Sequence, residues 1–112
     1  MQQITWEDFT QIELRIGKII EADIFKEAKK PAYKLIIDFG KEIGKKKSSA
    51  QITHLYTPEE LVNKLIVAVV NFPPKQIGPI ISECLVTGFY NENNEVVLCV
   101  PDKEIKLGAK LL

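Results

Sequence analysis

The chain has 112 residues, and its 15 basic and 15 acidic side chains cancel to a formal net charge of zero. This length suits one domain, residues 1–112, with a core that needs no disulfide or metal. The balanced charge argues against a protein whose whole surface binds nucleic acid. Between Arg15 and Lys47, however, ten basic residues stand against five acidic ones, which allows one basic face.

The sequence shows no membrane-spanning or secretory segment. No apolar run approaches the roughly 20 residues that a transmembrane helix needs. The start, "MQQITWEDF", lacks the basic and apolar regions of a signal peptide. We therefore expect a cytoplasmic protein that does not insert into membranes. Cys84 and Cys99, in apolar runs, are expected as buried, reduced thiols, with a disulfide between adjacent strands as the alternative.

The first predicted element is a short helix in "TWEDFTQI". Thr5 can cap it by accepting a hydrogen bond from the amide of Asp8. Trp6 and Phe9 then share one face at i, i+3 spacing. Two large aromatic side chains on so short a helix must cover either the domain or a partner.

Three strands are predicted next. "ELRIGKIIEADIF" alternates apolar and charged residues, and Gly17 predicts a bulge or sharp bend within it. "YKLIIDFG" is the second strand, and "EIGKKKSSAQI" turns at Gly44 into a third, more polar strand. A bend at Gly17 would let the long first strand serve both sides of a barrel.

A second helix and the remaining strands complete the pattern. In "TPEELVN", Thr57 caps, Pro58 takes the first helical position and Glu60 completes a capping box. "LIVAVVNF" predicts a buried strand, and "CLVTGF" and "EVVLCV" predict a hairpin across "YNENN". This order fits an all-β fold: a five-stranded OB-fold barrel with a short N-terminal helix and a short helix between strands 3 and 4.

Catalytic and metal-binding patterns are absent from the sequence. His54 is the single histidine, and a solvated or capping role is expected for it. One histidine and two distant cysteines give no zinc spacing, and "GKEIGKKKSS" lacks the spacing of a phosphate-binding loop. We therefore predict no enzyme activity, no metal and no cofactor.

Two polar stretches are candidates for ligand contact. "GKKKSSAQIT" sets three lysines beside two hydroxyl residues, which suits phosphate contacts; alternatively, its lysines protect a sheet edge from pairing. In "NFPPK", Asn71 ends a buried strand and two prolines stiffen a loop that presents Lys75. Alternatively, these prolines only prevent strand pairing. With Ser82 and Glu83 at the same rim, Lys47, Asn71 and Lys75 are expected to converge at one edge.

A third basic stretch is "KEAKKPAYK", which would form the first loop of an OB fold. It combines four lysines with Tyr33, and one tyrosine is a poor platform for stacking bases. This composition favours folded RNA, recognised by shape and backbone, over generic single-strand binding.

Several stretches together resemble the tRNA-binding OB domain of some aminoacyl-tRNA synthetases and their accessory proteins. They are "ELRIGKIIEA", "PAYKLIIDFG", "KSSAQIT", "VVNFPPKQIGPIISECLV" and the final Pro-Asp…Gly turn, and the resemblance runs from about Phe9 to Leu112. It implies recognition of the outside corner of tRNA by shape. The RNA contacts that it carries over are Lys47, Ser48, Ser49, Gln51, Asn71, Lys75, Ser82 and Glu83. Many relatives have a more basic loop where this chain has "FPPKQ" with one positive charge.

The resemblance also implies a homodimer, formed through the N-terminal helix and the C-terminal segment, with Trp6 and Phe9 at its interface. Within the family, the small free-standing form described as a protein-export chaperone is the most similar. It implies unfolded preproteins or export machinery as further partners, held in apolar pockets of the dimer. Two alternatives remain: a dedicated preprotein chaperone without significant RNA binding, and a non-catalytic accessory subunit of an aminoacyl-tRNA synthetase.

Overall fold

Two short helices and nine strands make up the computed structural model, which describes residues 1–112. In chain order they are α1 (Trp6–Thr10), β1 (Leu14–Ile24), β2 (Tyr33–Asp38), β3 (Lys45–Ala50), α2 (Pro58–Leu61), β4 (Leu65–Val69), β5 (Lys75–Ile77), β6 (Ile80–Ser82), β7 (Leu85–Val86), β8 (Gly88–Tyr90) and β9 (Val96–Leu98). Neither helix has the length or the apolar character to cross a membrane.

Five strands form one antiparallel sheet in the order β3-β2-β1-β4-β7. The long β1 pairs with β4 through its first half and with β2 through its second half. The sheet curls until Glu83, just before β7, reaches the far strand β3, where its amide donates to the Lys47 carbonyl at 2.8 Å. The result is a nearly closed five-stranded barrel with α2 between β3 and β4, which confirms the predicted OB-fold.

The bend in β1 lies elsewhere than predicted. The register against β2 shifts between Ile19 and Glu21, and Gly17 pairs regularly with Ile66. Gly17 is buried, and a Cβ there would lie 2.5 Å from Cγ2 of Ile37 and 2.6 Å from Cε1 of Phe39. This glycine therefore allows close packing of the core and does not make the bulge.

Both helix caps form as predicted. The Thr5 hydroxyl accepts from the Asp8 amide at 3.1 Å, and the Thr57 hydroxyl accepts from the Glu60 amide at 3.3 Å. In each case the acidic side chain accepts a bond in return from the amide of the capping threonine. Local sequence therefore fixes both helix starts.

The stretch after β4 differs from the prediction. The segment interpreted as a stiff loop contains the hairpin β5–β6, in which Lys75 pairs with Ser82. Gly78 makes its turn with a positive φ of 55°. The predicted strand "CLVTGF" is divided between β7 in the barrel and β8, which pairs separately with β9. Strands of three residues beside prolines show too little alternation of apolar and polar residues to be predicted from the local sequence.

The core lies between the inward faces of the barrel strands and is closed by Leu61 of α2. Its largest fully buried side chains are Phe39, Ile19, Leu35, Ile37, Leu61 and Ile66.

Candidate nucleic-acid interface

Six of the eight predicted RNA contacts lie together where the barrel closes. We call this surface the β3 rim and define it as Lys47, Ser48, Ser49, Lys75, Ser82 and Glu83. The Lys47 amide donates to Oε1 of Glu83 at 2.9 Å, and the Glu83 amide donates to the Lys47 carbonyl. The Ser49 amide donates to the Ser82 hydroxyl at 3.3 Å. Lys75 lies opposite Ser82 in the β5–β6 hairpin, so both lysines belong to one hydrogen-bonded surface.

The two serines of β3 point in opposite directions, as the alternation of a strand requires. Ser48 is 1% exposed, and its hydroxyl donates to the Cys84 carbonyl at 3.1 Å inside the barrel. Ser49 is half-buried and lies opposite Lys34 of β2. Ser48 therefore holds the barrel together from the inside, while Lys47 faces solvent.

Asn71 and Gln51 lie outside the rim. The Asn71 Oδ1 accepts from the Glu13 amide at 3.0 Å, and its Nδ2 donates to the Gln11 carbonyl at 2.7 Å. Asn71 thus fastens the segment after α1 to the end of β4 and makes no hydrogen bond to the rim. Gln51 is exposed one residue past the end of β3.

The outer face of β1, β2 and β3 adds charges of both signs beside the rim. A shallow cavity of about 200 Å³ is lined by Lys34 and Lys47 together with Glu21 and Asp23. The two carboxylates reduce the positive potential that the lysines create. This mixture opposes indiscriminate binding of polyanions at the rim.

The first loop contains no stacking platform. Tyr33 is 7% exposed, and its hydroxyl donates to the Tyr56 carbonyl at 2.7 Å. The Lys34 ammonium lies over the buried ring of Phe25, 5.9 Å from its centroid. Aromatic rings of this region therefore serve the fold and are not available to unstacked bases.

The cysteines are both free thiols. Burial raises the pKa of the Cys84 thiol to about 11, so the group stays protonated at neutral pH. Its Sγ–H points to the Lys47 carbonyl at 3.9 Å, directly beneath the rim. The structure contains no group of three or more side chains that could hold a metal ion.

The sequence did not predict a charged cluster at the start of β1, centred on Glu13, the residue before the strand. Oε1 of Glu13 accepts two hydrogen bonds from the Arg15 guanidinium, the shorter of them at 2.8 Å. Oε2 of Glu13 forms an ion pair with the Lys110 ammonium at 3.3 Å. The hydrogen bond from Arg15, followed by that from Lys110, lowers the pKa of the Glu13 carboxyl. The i, i+2 spacing of Glu13 and Arg15 on one strand face could have predicted the first pair.

Comparison with known proteins identifies the family of this chain. Residues 14–110 match a family model described as "Putative tRNA binding domain". The chain belongs to this family. The resemblance that the sequence motifs indicated is therefore confirmed.

Two chaperones of known structure are similar to this chain over their whole length. The CsaA chaperone protein from Picrophilus torridus is 54% identical, with a TM-score of 0.92 over 98% of this chain and 100% of that one. The chaperone CsaA of Bacillus anthracis is 50% identical, with a TM-score of 0.92 over 99% and 100%. The methionine–tRNA ligase of Pyrococcus horikoshii is 38% identical over 99% of this chain, which spans 15% of that ligase's length.

The Glu83 side chain offers a test of how the rim is held. We expect Glu83→Ala to lower the free energy of unfolding by about 1 kcal/mol, because the Lys47 amide loses its acceptor. Glu83→Gln keeps an oxygen at Oε1 and should cost much less. Amide hydrogen exchange at Lys47 should accelerate in the alanine variant only. Equal exchange in both variants would show that this bond does not hold the rim.

Proposed function

We propose that this chain binds tRNA by shape and phosphate backbone, with the β3 rim as its contact surface. The observation that carries this proposal is the reciprocal pairing of Lys47 with Glu83, joined to Lys75 through Ser82. The backbone of this surface is fixed by hydrogen bonds before any ligand arrives, so binding costs little conformational entropy. Family membership supports tRNA as the partner.

We assign different tasks to the eight predicted contact residues, six of which form the rim. Lys47 and Lys75 are exposed and contact phosphates, while Ser49 and Gln51 contribute hydrogen bonds. Ser48, Ser82 and Glu83 hold the backbone from which the lysines project. Asn71 contributes to tRNA binding indirectly, by holding the segment after α1 in place.

Salt dependence tests this proposal. Removal of one lysine–phosphate contact should reduce the slope of log K against log salt by about 0.7–0.9. We expect that reduction for Lys47→Ala and again for Lys75→Ala when tRNA binding is measured across a salt series. Lys29→Ala, in the first loop, is the matched comparison: a parent slope confines the phosphate contacts to the rim, and a reduced slope extends them to this loop. If both rim variants bind tRNA like the parent, the rim is not the contact surface.

We further propose that the chain forms a homodimer that also holds unfolded preproteins in the cytoplasm, without catalysis. Helix α1 has no buried residue, and Trp6 is 68% exposed with its ring 5.7 Å from that of Phe9. A helix this short is unstable alone and needs a surface to pack on. Phe89 and Tyr90 of β8 are also exposed, which leaves apolar surface for extended clients.

An accessory role beside a tRNA ligase is the alternative. The likeness to the methionine–tRNA ligase of Pyrococcus horikoshii favours it. Copurification from cell extract at low and high ionic strength separates the two. RNA that dissociates at high salt while apolar peptide stays bound supports the chaperone, and recovery of a ligase supports the accessory role.

A further inference from the structure

We propose that a second anion site exists on this protein: a groove along the C-terminal segment that binds phosphate groups. Its larger part, about 520 Å³, lies between residues 100–107 and residues 63–65, with Lys18 of the middle of β1 beside them. Its smaller part, about 300 Å³, lies between residues 106–110 and the turn 41–43. Lys106 and Leu107 line both parts, which makes them one continuous surface, here called the C-terminal groove.

The groove carries an excess of basic side chains although the chain is neutral. Seven basic side chains line it against three acidic ones. Arg15 and Lys110 are occupied by Glu13. The other five form no ion pair, and the Lys64 ammonium lies over the Tyr56 ring, 5.8 Å from its centroid; the five are Lys18, Lys41, Lys64, Lys103 and Lys106. Five such ammonium groups against three carboxylates leave this concave surface with an excess of positive charge, which attracts anions.

The chemistry of the lining points to phosphate. Lysine binds phosphate as a flexible point charge, and several lysines can surround one multiply charged group. The larger part of the groove contains no aromatic side chain, so nothing there stacks on a base. The ligand is therefore recognised by its phosphates, in a free polyphosphate or in an RNA backbone.

The groove is separate from the β3 rim. No rim residue lines it. Across the sheet, Lys18 lies opposite Asp38, and Asp38 lies opposite Lys45 of β3. A carboxylate thus stands between the groove and the basic strand, and the two positive surfaces are not continuous along this row. The inference does not rest on the proposed tRNA binding.

Inorganic tripolyphosphate is the probe for a test by NMR titration of the isotope-labelled full chain. We expect saturable shifts of the amides in residues 63–65 and 102–108. The double variant Lys103→Gln, Lys106→Gln should weaken binding about tenfold, which corresponds to about 1.4 kcal/mol. The control Lys29→Gln, Lys30→Gln removes the same charge from the first loop and should bind like the parent. Thermal melts establish that both variants fold.

Two results would overturn the inference: parental affinity in the Lys103, Lys106 double variant, or shifts confined to residues 45–49 and 75. A tRNA titration of the same double variant then identifies the source of the phosphate. A weakened complex with a flatter salt dependence assigns the groove to RNA backbone, and unchanged tRNA binding assigns it to a free polyphosphate. Because tripolyphosphate contains no nucleoside, failure of tRNA binding leaves this test intact.

Discussion

Phe39→Ala is expected to lower the free energy of unfolding by about 3–5 kcal/mol. The Phe39 side chain is 1% exposed and belongs to the core cluster that the curled sheet encloses. Its ring packs against the bare backbone of Gly17, where no side chain can move in to fill the cavity. Urea denaturation of the variant, fitted with the parent's slope, measures the decrease.

Gly17 provides the matched test of this packing. A methyl group at Gly17 would overlap both Phe39 and Ile37, so Gly17→Ala should cost about 1–3 kcal/mol by overpacking. In the double variant the new methyl enters the space that the Phe39 ring leaves. The combined cost should therefore fall below the sum of the two single costs. Strict additivity would mean that the ring and the glycine do not contact each other in solution.

Local pattern was enough to predict the first four barrel strands and both helix starts. The alternation around Leu35 and Ile37 and the caps at Thr5 and Thr57 depend on residues close in sequence. The bulge between Ile19 and Glu21 depends on how two strands of different curvature pair, and no residue type marks it. The sequence predicted a bulge at Gly17 because a glycine within a strand has two common physical causes. One is a bulge and the other is the close approach of neighbouring groups, and local sequence does not distinguish them.

The sequence predicted which residues form the candidate site better than it predicted their arrangement in space. Lys47, Ser82 and Glu83 were expected at one rim, but the Lys47–Glu83 hydrogen bond joins residues 36 positions apart and could not be predicted from the sequence. Ser48 was expected to contact RNA beside Ser49, whereas the alternation of β3 turns its side chain into the barrel. The partners of Asn71 on the N-terminal segment could not be predicted, because they depend on where that segment lies after the barrel closes.

The distribution of charges along the sequence does not reveal the C-terminal groove. Residues from Glu83 to Glu104 carry five acids against Lys103 alone, and in sequence they appear acidic. Folding brings Lys18 and Lys64 beside Lys103, although they lie in distant parts of the chain. Local net charge is therefore a poor guide to surface potential in a barrel, where each face is assembled from separated strands.

Trp6→Ala is expected to weaken self-association by about 2 kcal/mol or more, roughly 30-fold in the dissociation constant. Helix α1 buries none of its residues on its own chain, and the Asn71 hydrogen bonds hold the segment that follows it. Trp6 and Phe9 are thereby presented together at a fixed position. A large aromatic residue in this setting is the type that dominates interface energies.

Sedimentation equilibrium of the parent and the variant measures the change. Ile24→Ala is the matched control, since Ile24 is 62% exposed at the other end of β1 and should leave association unaffected.

If the chaperone role depends on the dimer, suppression of client aggregation by Trp6→Ala should fall in proportion to the fraction of dimer that dissociates. tRNA contacts at the β3 rim of each chain should keep their salt dependence. A parent that sediments as a monomer would remove the dimer from the proposal, and equal association of the two variants would move the interface away from α1.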